Sequence, residues 1–188
     1  MKNEAIIVDA DFCIKLGRIE KQPYLKNVLT ALADKIYVHQ IVYDEIMTPA
    51  YAKEQINDLI QQGKLEIVSE TSLGKDEEKV YFETQSKLKS VMENPNHPRK
   101  NQGEIASLAM AKTKSIPYFC TDENDLQSII DANLNTGLCD ILCIRIEDLV
   151  KYIKEGTLDG FKRKDAKLMW TLSGKHPNIF DSTIWPKA

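Results

Sequence analysis

Residues 5–11 read Ala-Ile-Ile-Val-Asp-Ala-Asp, an apolar run that ends in two acids. The apolar part predicts a first β-strand, Ala5–Val8, with Asp9 at its carboxyl end. In an open parallel sheet, ligands bind beyond the carboxyl ends of the strands, near the point where the strand order reverses. In such a sheet, Asp9 and Asp11 lie at the edge where a functional site is expected.

The rest of the chain repeats this pattern, because short apolar runs alternate with longer segments of helical spacing. Strands are predicted at Ala5–Val8, Lys35–His39, Leu65–Val68, Pro117–Cys120 and Asp140–Ile144. Helices are predicted from Phe12 with an interruption near Pro23, at Ile41–Gln62 with a break at Thr48-Pro49, and at Lys75–Met92, Gly103–Lys114, Glu123–Ala132, Glu147–Lys154 and Phe161–Leu172. Such alternation is typical of βαβ units. We therefore expect an α/β protein with three layers, α/β/α, around a central, mainly parallel five-stranded sheet.

The length and composition suit one domain with an appendage. The chain has 188 residues, of which 43% are hydrophobic and 28% charged, enough for a core and a hydrated surface. We place the domain at residues 1–150 and expect residues 151–188 to form an extension packed on it. No apolar run is long enough to span a membrane, and residues 1–4 lead directly into a strand without a secretory signal. We therefore expect a cytoplasmic protein with no membrane partner.

Charge is distributed unevenly along the chain. The net charge is −3, but residues 151–188 hold eight Lys or Arg against four Asp or Glu, hence +4, which leaves −7 for residues 1–150. An acidic body with a basic tail is compatible with a metal-dependent enzyme that grips a polyanionic substrate elsewhere on its surface. A solvated, lysine-rich helix explains the tail equally well.

Four acids are predicted at the same edge of the sheet, each from a different element. They are Asp9, Glu45, Glu104 and Asp122. Each has a structural alternative, because the two aspartates could cap the helices that follow them and the two glutamates could be first-turn acids on exposed faces. Converging carboxylates without a cation must lose charge or bind metal, and hard oxygen ligands favour Mg²⁺ or Mn²⁺. The joint pattern therefore predicts a divalent-metal site.

The segments around these acids resemble the four acidic motifs of PIN-domain ribonucleases. The matching segments are residues 6–11 (Ile-Ile-Val-Asp-Ala-Asp), 43–46 (Tyr-Asp-Glu-Ile), 103–109 (Gly-Glu-Ile-Ala-Ser-Leu-Ala) and 120–122 (Cys-Thr-Asp). The resemblance covers roughly residues 5–146. It implies a small α/β/α fold and an endoribonuclease that depends on Mg²⁺ or Mn²⁺. It also implies catalytic, metal-binding acids at Asp9, Glu45, Glu104 and Asp122.

Further candidates follow from the resemblance and from charge. Asp125 lies where some members have a further acid and is a candidate metal ligand, and either Asp11 or Asp125 is a candidate for holding water ligands of the metal. Candidate contacts to the RNA backbone are Lys15, Arg18, Arg99, Lys100, Lys162, Arg163 and Lys164, each with a solvated surface role as the alternative. The expected partners are RNA, a cognate antitoxin if the protein is a toxin of a toxin–antitoxin pair, and a second copy in a homodimer.

Two other interpretations remain open. Asp9-Ala10-Asp11 after an apolar strand also resembles the haloacid-dehalogenase-like phosphatases, although Phe12 and Cys13 replace that family's Gly-Thr or Gly-Val. A phosphatase would also leave Glu45 and Glu104 without a role. The other interpretation is a PIN-like scaffold that binds RNA or a protein without cutting, and such a scaffold needs no divalent ion.

Overall fold

The computed structural model describes residues 2–20, 22–93, 96–97 and 100–186. Within these ranges the chain is an α/β protein whose five strands form one all-parallel sheet. The strands are β1 (Asn3–Val8), β2 (Ala33–His39), β3 (Leu65–Val68), β4 (Tyr118–Cys120) and β5 (Leu142–Ile144). Their order across the sheet is β3-β2-β1-β4-β5. The expected α/β class and five-stranded sheet are confirmed.

Helices connect successive strands and cover both faces of the sheet. The helices are α1 (Ala10–Gly17), α2 (Tyr24–Leu32), α3 (Gln40–Glu45), α4 (Ala50–Gln61), α5 (Lys75–Met92), α6 (Gln102–Thr113), α7 (Leu126–Asn133), α8 (Ile146–Lys154), α9 (Arg163–Leu172) and α10 (Pro177–Ile179), followed by a π-helical turn at Phe180–Ile184. No helix in the described part of the chain has the length and apolar character needed to cross a bilayer.

The core has two parts because side chains alternate across a strand. In β1, Ile6 and Val8 enter a cluster on one face, with residues of α1, α2, α4, α8 and α9. Ile7 enters a second cluster on the other face, with residues of α5, α6 and α7. All three side chains are fully buried. The arrangement is therefore three-layered, with helices on both sides of β1.

The strand order reverses between β1 and β4. Strands β1, β2 and β3 run in sequence toward one edge of the sheet, whereas β4 returns to the other side of β1 and is followed by β5. Val8 pairs with Cys120 in register, and the amide of Asp9 donates to the carbonyl of Cys120 over 2.9 Å. The residues that follow β1 and β4 are thus held side by side at the switch point, where ligands bind in open α/β sheets.

The segment after residue 150 packs into the same core. Met169 and Phe180 are fully buried in the cluster that contains Val8. The Tyr24 hydroxyl donates to Asp165 over 2.6 Å, which ties α9 to α2. A boundary at residue 150 falls inside α8, so no linker separates the proposed domain from its extension. The division into a domain at residues 1–150 and a packed extension at residues 151–188 stays a prediction.

Most predicted elements are present with shifted bounds. The break at Thr48-Pro49 is confirmed, because α3 ends at Glu45 and α4 begins at Ala50. Gly63, with a φ of +67°, follows the end of α4 as expected for a left-handed helix terminus. Strand β2 begins two residues earlier than predicted, directly after α2, because the apolar pattern of α2 runs into that of β2 without turn residues.

Candidate functional site

Asp9 follows β1 and is the most buried of the four acids, with 3% of the residue exposed. It occupies the N-cap position of α1 in an extended conformation without a side-chain capping hydrogen bond, and a hydrogen bond with the backbone of Ala10 lowers its pKa. Burial, followed by the fields of Glu104, Asp11 and Glu45, raises the pKa of Asp9 from 3.8 to about 8. The alternative in which Asp9 is simply a helix cap is therefore not supported.

Glu104 lies in the first turn of α6, as predicted, where the partial positive charge of the helix N-terminus favours an acid. Burial nevertheless raises the pKa of Glu104, and the fields of Glu123 and Asp11 add to that increase. Lys100 opposes it, so this lysine lies within electrostatic range of the site. Glu104 is thus a half-buried acid whose ionised form is disfavoured by its neighbours.

Glu45 is not where the sequence predicted it within its helix. It is the last residue of the six-residue α3, not an early residue of a long helix, because the chain turns before Thr48-Pro49. Its carboxylate lies against the first turn of α6, since a Cβ built on Gly103 would be 2.9 Å from Oε2 of Glu45. Burial of the carboxyl and the field of Glu104 raise the pKa of Glu45.

Asp9, Glu45 and Glu104 therefore form one electrostatic group, defined here as the acidic cluster. They come from the end of β1, the end of α3 and the start of α6, yet the fields of both glutamates act on Asp9, and the field of Glu104 acts on Glu45. Gly103 allows this approach because it leaves room for α3 against α6. Asp9 is buried, Glu104 is half-buried and Glu45 is exposed, and repulsion among their carboxylates is the condition that a divalent cation relieves.

Asp122 belongs to a different arrangement. Its Oδ2 lies 2.7 Å from Nζ of Lys15, and its Oδ1 accepts the amide of Ile146 over 3.3 Å. The Lys15 ammonium also contacts Oδ2 of Asp11 over 2.6 Å. The Asp122 side chain is 7% exposed and that of Lys15 is 23% exposed. Asp122 is therefore already paired with a cation, whereas no ion pair between the acidic cluster and a cation is present among the residues that the structure describes.

The remaining predicted acid, Asp125, is exposed at the N-cap position of α7. It lines a small cleft of about 90 Å³ together with Glu104 and Glu123. Glu123 was not among the sequence candidates. The cleft places Asp125 beside the acidic cluster, but its carboxyl is not among those whose fields act on Asp9 or Glu104.

The basic residues that were predicted to contact RNA lie in different environments. Lys15 is half-buried and paired with Asp11 and Asp122, whereas Arg18 and Lys100 are exposed. Arg99 lies outside the described residues. In the tail, Arg163 donates to Asp181 over 2.7 Å and to the carbonyl of Trp185 over 3.1 Å, so it holds the extension together. Lys162 and Lys164 are exposed.

Two cations that the sequence did not single out lie beside Asp122. Arg145 follows β5, and its Nη1 lies 3.3 Å from Oε1 of Glu147 and 3.2 Å from Oδ1 of Asn124. Lys175, from the extension, donates to Oε2 of the same glutamate. Burial and the field of Arg145 lower the pKa of Lys175, and Asp122 acts in the opposite direction. One carboxylate thus holds two cations next to the site.

The donor set suits a hard divalent cation, because the acidic cluster offers only carboxylate oxygens. The pKa values of all three members are raised, chiefly by burial, so in the absence of a cation their neutral forms are favoured. Among the described residues, no group of three or more His, Cys, Asp or Glu side chains is in ligand-ready geometry. The glutamates have rotatable side chains, and an ion that binds here would have to draw them toward Asp9.

Comparison of the chain with protein-family models, with curated proteins and with solved structures gave no significant match.

Proposed function

We propose that the protein is an endoribonuclease that depends on Mg²⁺ or Mn²⁺, with the metal held by Asp9, Glu45 and Glu104. The observation that carries this proposal is the pKa of Asp9, raised to about 8 by burial and by its acidic neighbours at the switch point of the sheet. Perturbed carboxyl groups at such a position are characteristic of functional sites. RNA is proposed as the substrate because the four acidic segments resemble those of PIN-domain ribonucleases. The chemistry of the site by itself supports only the broader class, a phosphodiester substrate.

A bound ion would supply Lewis-acid activation of the water that attacks the phosphodiester in line. The chain's own residues set the conditions for that attack. Burial of Asp9 keeps bulk water from screening its charge, which strengthens its hold on a cation. Lys15 holds Asp122 and Asp11 in place at the adjoining side of the site. Asp11 thus lies between the acidic cluster and this ion pair.

The cations around the site suit a polyanionic substrate. Lys100 lies on the Glu104 side, whereas Arg145 and Lys175 lie on the Asp122 side. A nucleic-acid strand carries negative charge at every nucleotide, so cations on both sides of a cleavage site position the backbone. An acidic site flanked in this way binds metal at its centre and phosphates at its margins.

The test is cleavage of a labelled single-stranded RNA with Mn²⁺, with EDTA, and with the site variants Asp9→Asn and Glu104→Gln. Matched controls are Asp34→Asn, an exposed acid paired with Lys2, and Glu66→Gln, an exposed acid paired with Lys35. We expect internal cleavage by the wild type and the controls with Mn²⁺ only. We expect each site variant to lose at least about 100-fold in rate, the scale of a lost catalytic group.

Other outcomes separate the competing interpretations. Full cleavage by either site variant contradicts the site assignment. Hydrolysis of p-nitrophenyl phosphate with a phospho-aspartate at Asp9 would identify a phosphatase instead. RNA binding without cleavage, unchanged by EDTA, would identify a scaffold. A toxin is expected to arrest growth when expressed alone and to be neutralised by the product of a neighbouring gene.

A further inference from the structure

The five acids at the edge of the sheet divide into two groups. Asp9, Glu45 and Glu104 have no ammonium or guanidinium within 4 Å among the described residues. Asp11 and Asp122 share one, the ammonium of Lys15. Lys15 reaches Asp11 because it is four residues later in α1 and lies on the same face of that helix.

Lys15 is a fixed part of the site. Its Nζ lies 2.6 Å from one carboxylate and 2.7 Å from the other, and the Asp122 side chain is almost completely buried. The contact with Asp122 is a short charge-assisted pair at a nearly buried carboxylate, whereas the contact with Asp11, whose side chain is 43% exposed, is more accessible to water. An ammonium has three N–H donors, and two are used here. No further acceptor for Lys15 lies within hydrogen-bond distance in the described part of the chain.

A second divalent ion would need the place that this ammonium occupies. Two-metal sites hold their ions about 3.5–4 Å apart and use a carboxylate between them. Asp11 is the acid that faces both groups, since its field acts on Asp9 and on Glu104 while its Oδ2 contacts Lys15. The position between Asp11 and Asp122 is therefore the one where a second ion would be expected.

The geometry points to a site that takes one divalent cation, with Lys15 as a built-in substitute for the second. Asp9, Glu45 and Glu104 hold the ion, whereas Asp122 holds Lys15 and is not a metal ligand. The unused N–H donor of Lys15 is then available to a phosphate oxygen of the substrate. This inference rests on the proposed function, because it assigns the cations of the same site.

The experiment counts Mn²⁺ per chain by calorimetry and by electron paramagnetic resonance. Lys15→Met removes the ammonium and keeps most of the apolar stem, and Lys35→Met is the matched control, because it removes an ammonium that is paired with Glu66. We expect one Mn²⁺ in the wild type and in the control. We expect two in Lys15→Met, with a spin-coupled signal, because Asp11 and Asp122 lose their cation. Asp122→Asn should keep the wild-type affinity for Mn²⁺ within about threefold, since this acid holds Lys15 instead of the ion.

Different results would contradict the one-cation inference and the proposed endoribonuclease function. Two Mn²⁺ ions in the wild type, or one in a folded Lys15→Met variant, would overturn the inference and leave an endoribonuclease intact. A loss of more than about tenfold in Mn²⁺ affinity in Asp122→Asn would also overturn it, because that is the effect of losing a ligand or its support. No Mn²⁺ binding in the wild type would overturn the proposed function and the inference with it. The Asp122→Asn measurement decides the matter if Lys15→Met does not fold.

Discussion

Replacing Asp9 by asparagine should stabilise the metal-free protein, and more so as the pH rises. Asparagine has nearly the same shape and cannot ionise. The pKa of Asp9 is 3.8 in the reference state and about 8 in the folded protein. Between these values the folded carboxyl keeps a proton that the unfolded chain has released. The stability that this proton contributes is complete below a pH of about 4 and is lost as the pH rises through about 8.

The size of the effect follows from the shift. Each unit of pH within this window costs the wild type about 1.4 kcal/mol of unfolding free energy relative to the variant. From about pH 5 to about pH 7 the difference is therefore about 3 kcal/mol. For a chain of this length that corresponds to roughly 5–10 °C in melting temperature. The raised pKa values of Glu45 and Glu104 act in the same direction, so the variant keeps a weaker slope of its own.

The assay is a set of thermal and urea melts of both proteins in EDTA from acid to mildly alkaline pH, with Asp34→Asn as the control. Parallel pH profiles for wild type and Asp9→Asn would refute the reasoning, because they would mean that Asp9 titrates alike in the folded and unfolded chains. A second set with Mn²⁺ extends the test. Metal binds the ionised carboxylate, so it should raise the wild-type melting temperature more at neutral than at acid pH and have little effect on the variant.

Three further predictions concern the surroundings of the acidic cluster. Gly103→Ala should displace the carboxylate of Glu45 and weaken Mn²⁺ binding at least about tenfold, and should also lower the melting temperature, because the new Cβ would lie 3.1 Å from the buried Val42; unchanged affinity would show that this close approach is irrelevant. Arg145→Gln together with Lys175→Gln should lower the salt slope of RNA binding by about one to two units, and an unaltered slope would remove both residues from the RNA site. Gly17→Ala should destabilise the protein by about 1–3 kcal/mol in urea melts, because its Cβ would lie 2.7 Å from the α4 backbone; a stability equal to wild type would mean that α1 and α4 separate easily.

The fold was predictable from the sequence because the apolar runs are short and regularly spaced. The strand ends at Val8 and Cys120 were predicted correctly, and these two ends determine where Asp9 and Asp122 lie. Bounds failed where turn chemistry was weak, as between α2 and β2, or where a segment such as residues 123–125 bends before the helix starts at Leu126. Both errors concern helix ends, where local signals compete with packing.

The sequence predicted that the four acids lie at one edge of the sheet but did not predict which charged groups contact one another, and the functional role of the acids stays a prediction. The i,i+4 spacing of Asp11 and Lys15 was visible in the sequence and predicts an ion pair. The contact of Lys15 with Asp122 was not visible, because 107 residues separate them and only the β1–β4 pairing brings them together. The position of Lys175 was not predicted either. The extension has no regular apolar spacing, so the sequence does not indicate that Lys175 lies near Arg145.

A crystal soaked in Mn²⁺ and measured at the manganese edge tests the central claim most directly. The account predicts an anomalous peak between Asp9, Glu45 and Glu104, with carboxylate oxygens at about 2.2 Å, a distance within the range for hard divalent cations. It also predicts that the peak is missing in crystals of Asp9→Asn. Manganese bound elsewhere on the chain, or no manganese in crystals of a protein that cleaves RNA with Mn²⁺, would contradict the account.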